Sequence, residues 1–339
     1  MIRSNLIFLV GTALVVMLFS QAYADDLLVF KTYEKSGYID KAGKVIIQAK
    51  FDETQDFSEG LGAVRAGSFN NGKWGYVDET GKLIIDTIYN FASQFSQGLA
   101  MVGKDGKFGF INKSGKVAIP IEYKLGSVGN NGFSEGRAFV GNGLWSYICI
   151  DRYGKQVGNR NYSDNGMFSE GLVPVSIWDT TVHKTLYGYI DTNANFVINP
   201  QFNGAENFSD EFAAVKINDI WGFIDRTGKI VIEPQYNAVN KFSEGLAPVK
   251  VKGKFGFIDK TNKIVISPKF DYVLSFSDGL AVARDTNGMY GYIDKAGNFV
   301  IKAQFTGANP LSDGIAKIWH GYLIGYINQK GEYLYNPIK

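Results

Sequence analysis

Hydrophobic and polar positions along this chain fall into one pattern that returns about every 34 residues. Its clearest copy runs from Phe242 to Phe276. Phe242-Ser243-Glu244-Gly245 leads into Leu246-Ala247-Pro248-Val249-Lys250-Val251. Then come Phe255-Gly256-Phe257-Ile258-Asp259, the polar Lys260-Thr261-Asn262-Lys263, and Ile264-Val265-Ile266 ending at Ser267-Pro268. Alternation with a period of two predicts β-strands. Ala247, Val249 and Val251 share one face, as do Ala100 with Val102 and Ala138 with Val140, and that face is expected to point inward. Pro174 and Pro248 fall between those positions, where a residue without an N–H predicts an edge or a bulge. Pro120, Pro200, Pro234 and Pro268 are expected to stop the strand in which each lies.

The middle of each copy reads as a β-hairpin. In Asp78-Glu79-Thr80-Gly81-Lys82 and Asp225-Arg226-Thr227-Gly228-Lys229, the Asp can accept backbone N–H bonds across the turn. The fourth residue must take a positive φ, so Gly recurs there and Asn262 substitutes for it. Ala194 is the one misfit, and its turn is expected to be shaped differently. Nine versions of an aromatic-Gly-aromatic phrase occur, centred on Gly37, Gly75, Gly109, Ser146, Gly188, Gly222, Gly256, Gly291 and Gly325. A Gly between two rings leaves room for a neighbouring backbone, which is a packing requirement rather than a ligand requirement.

From Gly188 onward the spacings are 34, 34, 35 and 34 residues. A period of that size marks a repeat architecture. The expected fold is all-β, with three to four short strands in each of nine units and almost no helix. Residues 25–339 form a single array, irregular around 126–187, with extra residues near Ser68–Asn71, Gly126–Asn131 and Ile177–Thr185. Two layouts compete, an open β-solenoid-like array and a closed β-propeller. Nine units exceed the usual four to eight blades. The chain also starts near Leu27–Phe30 and ends near Tyr333–Pro337 in about the same repeat phase, so no split blade is evident to latch a ring. The open array is the expected layout and the closed propeller its alternative.

These residues resemble the WG (Trp-Gly) repeat proteins of bacteria. The likeness rests on Trp74-Gly75-Tyr76-Val77-Asp78, Trp221-Gly222-Phe223-Ile224-Asp225 and the recurring Phe-Ser-Glu-Gly-Leu-Ala phrases. It covers nearly the whole of 25–339. Elsewhere Phe, Tyr or Ile324 replaces the naming Trp, and Trp145 precedes Ser146. The resemblance implies a β-rich repeat that mediates interactions, and it brings no catalytic residues.

The N-terminus changes the compartment. Arg3, the uncharged and mostly apolar run from Leu6 to Phe19, and Ala22-Tyr23-Ala24 read as a cleavable secretory signal over residues 1–24. The apolar run is shorter than the ~20 residues that span a bilayer. Cleavage would leave 315 of 339 residues, with no stable membrane insertion, in the periplasm or outside the cell. Removing Arg3 takes the formal net charge from +2 to +1, which gives no basic footprint for nucleic acid. The lone Cys149 cannot form an internal disulfide and is expected to be a buried thiol.

Candidate chemistry is sparse. Glu59, Glu135, Glu170, Asp210, Glu244, Asp278 and Asp313 recur in the Phe-Ser-x-Gly turns, but each turn brings one carboxylate where calcium wants six to eight oxygens. They are expected to cap turns, with no metal and no cofactor bound. His183 and His320 are the only histidines, and neither begins a metal or triad spacing. Nucleophile-elbow and phosphate-loop motifs are absent. The repeated rings are expected to pack on the equivalent ring one repeat away, rather than to stack on sugars. Trp178 and His183, in the longest insertion, and Trp319 with His320, before the last hairpin, are the candidate partner-binding residues, since insertions in repeat arrays map to binding faces. The expected function is an exported, non-enzymatic scaffold that binds another protein. The alternative is carbohydrate or cell-wall binding, and an enzyme with a site assembled across repeats is the remote third.

Overall fold

A computed structural model of the chain describes residues 27–68, 70–124, 132–143 and 146–338. The secretory signal read at 1–24 lies outside the described residues. Each repeat folds as an antiparallel meander. Strands Tyr272–Val273, Ala281–Arg284, Tyr290–Ile293 and Phe299–Phe305 form one such unit, hydrogen-bonded in chain order. The described strands make eight sheets, and no helix occurs among the described residues. One sheet has six strands, from Phe91–Ala92 to Ser146–Asp151, and holds the third and fourth modules. A single residue pair, Lys124 with Gly141, joins them, so nine sequence modules occupy eight sheets.

The hydrophobic core lies between modules. One cluster takes Ala63, Tyr76 and Ile85 from the second module, and Phe95, Val102 and Ile111 from the third. Leu246, Ala247, Pro248 and Val249 are therefore buried on both strand faces, not on the single inward face that the alternation suggested. The ring partner also differs from expectation. In six modules the second aromatic of the phrase packs on the Phe of the next module's Phe-Ser turn, not on the equivalent ring. Tyr76–Phe95, Phe110–Phe133, Tyr189–Phe208 and Phe257–Phe276 all have centroids 4.9 Å apart. Where this ring is Tyr, its hydroxyl donates onward as well. Tyr76, Tyr189 and Tyr292 donate to the carbonyls of Ser93, Glu206 and Asn309, each at 2.8 Å.

The same contacts join the ends of the chain. Tyr326 of the ninth module donates to the Val29 carbonyl at 2.9 Å, as Tyr38 donates to Ala63 in the regular interface. Phe30 and Ile39 form one buried cluster with Tyr326. Lys317 pairs with Asp56 at 2.7 Å. The fold is thus a closed β-propeller, and the open-array expectation is corrected. The terminal strands stay in separate sheets. Closure comes from packing the ninth module's face on the first, an interface the sequence phase could not reveal.

Register explains the Gly phrase. Tyr187 pairs with Phe202 and Tyr189 with Ile198, so the third strand carries two extra residues opposite Gly188. A Cβ on Gly188 would lie 2.5 Å from the Ile198 carbonyl oxygen, and one on Gly256 2.4 Å from that of Ile266. Pro200 and Pro268 sit in these bulges, where no N–H is needed, and the strands Phe196–Phe202 and Ile264–Phe270 continue through them. The expected strand stop is therefore corrected. Pro174 and Pro248 are unbulged. Their carbonyls accept from Gly166 and Asn240, and beyond Pro174 lies only the two-residue strand Asp164–Asn165.

The fourth module corrects the phrase alignment. Ala100 pairs with Ile111 and Ala138 with Ile150, which puts Ile148, not Ser146, in the Gly place and Cys149 in the ring place. A side chain at Ile148 prevents close approach of a third strand. Only isolated bridges, Ile150 with Gln156 and Tyr147 with Tyr162, remain there. The buried Tyr162 ring, 5.8 Å from Phe139, fills the space that the small Cys149 leaves. The Ala194 turn is not shaped differently. Ala194 takes φ 63° and its N–H donates to Asp191 at 2.9 Å, as Gly228 does to Asp225 at 3.0 Å. In regular modules the turn Gly rides over an Ile of the preceding module, as Gly228 does over Ile198. The fourth module has Val157-Gly158 at that place. The Ala194 methyl packs into the gap at the expense of a left-handed backbone.

Candidate functional site

The fifth module has the longest hairpin, Leu172–Asp179 paired with Lys184–Asp191 in unbroken register. Eight-residue strands carry its tip past the five-residue strands of the sixth module, Ala213–Ile217 and Ile220–Ile224. Trp178 stands near this tip with 56% of its surface exposed, and Val182 beside it is 51% exposed. His183 is exposed in the turn at φ 52°. Trp319 and His320 lie in the ninth module and are not brought to Trp178. Trp319 is half-buried over Gly307. His320 Nε2 lies 2.7 Å from the Tyr333 hydroxyl, with its ring edge-on to Phe305. That pair covers a core edge.

A hollow of about 330 Å³ opens between the fifth and sixth modules, and sequence reasoning missed it. Asp164, Asn165, Pro174, Tyr187, Glu206 and Trp221 line it. Antiparallel pairing puts Pro174 and Ser176, with their partners Tyr189 and Tyr187, on one face of the long hairpin. Trp178 and Thr185 continue the same face, so the hollow leads towards the exposed Trp. Tyr187 donates to Asp164 Oδ2 at 2.8 Å. Burial, then Asp164, pushes the Tyr187 hydroxyl up to about 12. Partial burial, then the Asp164 charge, holds the Glu206 carboxyl above the usual range, although Glu206 remains open to solvent on one side. Asn165 Oδ1 makes no hydrogen bond among the described residues, and the fully buried Ser176 sits against the Tyr187 hydroxyl and opposes part of its upward shift. No local motif marked this site, because Asp164 lies in the short first strand of one module and Glu206 just after that of the next.

The remaining candidates are structural. The turn acids take positive φ, from 50° at Glu135 to 54° at Glu170, inside two-residue hairpins. All of these carboxylates except Asp313 accept the N–H of the next module's turn. Glu59 accepts from Gly98 at 2.9 Å, Asp210 from Gly245 and Asp278 from Gly314, both at 2.8 Å. Lys113 and Lys295 add ion pairs to Glu59 and Glu244. These acids therefore link turns around the ring. In the hairpin turns, the Thr227 hydroxyl, then the N–H groups of Thr227 and Lys229, hold Asp225 below the usual carboxylate range. Tyr76, Phe110, Tyr189, Phe223, Phe257 and Tyr292 are fully buried, which removes an open row of sugar-stacking rings. Cys149 is buried, and burial pushes its thiol up to about 12.

A ring of tandem antiparallel modules, joined by repeated face contacts and turn-to-turn bonds, defines a repeat β-propeller. The profile of the WG containing repeat matches residues 37–73, 74–108, 108–143, 187–219, 221–255, 255–288 and 290–318, more than half of the chain. The chain belongs to this family. The stretch between 143 and 187, which no match covers, holds much of the worn fourth module and most of the long hairpin. No curated protein matches the sequence. Among solved structures, the chain is similar in fold to one titled as a eukaryotic initiation factor. That chain is 10% identical, with 90% of this chain and 93% of that chain covered and a TM-score of 0.65. BamB from Moraxella catarrhalis matches at 11% identity, 87% and 91% coverage and a TM-score of 0.47. The Dos1 propeller matches at 14% identity, 91% and 93% coverage and a TM-score of 0.44.

Proposed function

We propose that this chain is an exported, non-enzymatic scaffold that binds another protein through the long hairpin of its fifth module. The observation that carries the reading is the exposed Trp178 with Val182 at the tip of the longest hairpin among the described residues. A large ring exposed beside an aliphatic side chain suits an interface anchor. The near-neutral charge, and the engagement of the recurring carboxylates in turn-to-turn bonds, support binding rather than chemistry. Export rests on the residue pattern of 1–24. Mass spectrometry of the secreted or periplasmic protein should find Asp25 at the N-terminus, and intact Met1–Ala24 in membranes would refute it.

The test of partner binding is a pull-down from the native envelope with wild type and the Trp178→Ala/His183→Ala variant, alongside a glycan and peptidoglycan screen. The proposal expects a protein partner that the variant loses while its β-sheet circular dichroism is unchanged. Unaltered capture would place the contact elsewhere on the ring. Glycan capture without a protein partner would favour carbohydrate or cell-wall binding.

A further inference from the structure

The hollow between the fifth and sixth modules has a one-sided chemistry. Its charged lining residues, Asp164 and Glu206, are both acids, and neither Lys nor Arg lines it. Apart from the side-chain amides of Asn165 and Asn207, its polar side chains offer acceptors. Asn165 Oδ1 has no partner, and the one hydroxyl in the wall, Tyr187, already spends its proton on Asp164. Ser176 is fully buried and lies on the hollow's face of the hairpin. It is paired with Asp164 on one side and Tyr187 on the other, and its hydroxyl sits against that of Tyr187. Trp221 and Tyr187 supply aromatic surface, and Pro174 adds an apolar wall. Acids, free acceptors and ring faces together suit a planar or compact cation that carries several N–H donors. The volume is at the lower end of small-molecule sites and holds more than a bare ion.

We propose that this hollow binds a guanidinium or ammonium group on a slender stem, with Asp164 and Glu206 as its counter-charges and Trp221 as its stacking surface. This deepens the interaction reading, because the same hairpin face carries Trp178 and a partner's Arg or Lys side chain would supply the group. A free amine metabolite would offer the same chemistry. The proposal does not need a protein partner to be tested, so its failure and that of the pull-down remain distinguishable.

The experiment is a titration of the intact chain, followed by calorimetry and by Trp fluorescence, with Trp221→Phe identifying the responding ring. The probes are agmatine, butylammonium, and a blocked Gly-Arg-Gly peptide with its Gly-citrulline-Gly counterpart. The expected result is millimolar-range binding of the cations, on the order of 1–10 mM, as suits an isolated and partly exposed cation site. The neutral citrulline peptide should bind at least about tenfold more weakly, a factor that corresponds to about 1.4 kcal/mol. Asp164→Asn/Glu206→Gln should lose the same factor while keeping the wild-type circular dichroism. Binding of the peptide but not of agmatine assigns the group to a partner's side chain, and the reverse assigns it to a free metabolite. Equal binding of the citrulline peptide or of a monosaccharide would overturn the proposal. So would calcium displacing the amines from the site, or no cation binding at about 50 mM.

Discussion

Closure of the ring can be tested with one methyl group. Gly43 and Gly288 both close Asp-x-x-Gly turns, Gly43 between the strands Ser36–Ile39 and Val45–Phe51 and Gly288 between Ala281–Arg284 and Tyr290–Ile293, with φ +83° and +81°. Each donates its N–H to the turn Asp, at 2.9 and 3.1 Å. They differ in what a Cβ would meet. Gly288 has nothing within 4 Å, whereas a Cβ on Gly43 would lie 2.0 Å from the Leu334 carbonyl oxygen across the seam. Gly288→Ala should cost only the left-handed backbone penalty, about 1–2 kcal/mol. Gly43→Ala adds overpacking against a backbone group that cannot rotate away, about 1–3 kcal/mol more. At roughly 2 °C per kcal/mol for a chain of this size, the midpoint should fall by about 2–4 °C for Gly288→Ala and about 4–10 °C for Gly43→Ala. Thermal unfolding by circular dichroism reads the difference, and X-ray scattering shows whether the seam opens to relieve the clash. Equal shifts in the two variants, with unchanged scattering radii, would refute face-to-face closure.

Three further outcomes are expected. Glu211 takes φ 68° where the other seven Phe-Ser-type turns have Gly, and its N–H bond to Glu170 survives substitution. Its ion pair with Lys260, at 3.7 Å, is exposed and worth little. Glu211→Gly should therefore stabilise by about 0.5–1 kcal/mol, and a lower unfolding midpoint would contradict this. Glu206 has its carboxyl raised in the folded state, so it adds nothing below its unfolded pKa and lowers stability as pH rises through the raised range. Glu206→Gln should match wild type in denaturant midpoint near pH 4 and exceed it at pH 7. Cys149, buried and raised to about 12, should resist thiol reagents at pH 8 until urea unfolds the chain, and rapid labelling of the native protein would disprove its burial.

Much of the fold was legible because the repeat rests on local chemistry. The Asp-x-x-Gly turns, the Gly opposite a bulged strand and the Phe-Ser turns are set by backbone sterics and bonds between near neighbours. Nine copies in phase could then be read without any contact map. Legibility failed where a neighbour compensates. Ala194 looked incompatible with its turn, yet its methyl fills the gap left by Val157-Gly158. The phrase written around Ser146 had slipped by two residues, because Ile148 and Cys149 hide the pattern that their pairing with Phe139 and Val140 restores. The hollow of Asp164, Glu206 and Trp221 left no signal, since facing modules assemble it from residues far apart in the chain.

By itself, then, the sequence determined the β-hairpin unit, its period and its family, since each follows from local backbone preferences repeated in register. Only the tertiary structure decided that the array closes. Closure depends on the curvature summed over all modules, and on whether Tyr326 meets Val29 across the seam. That is a long-range steric fit, and no single repeat encodes it.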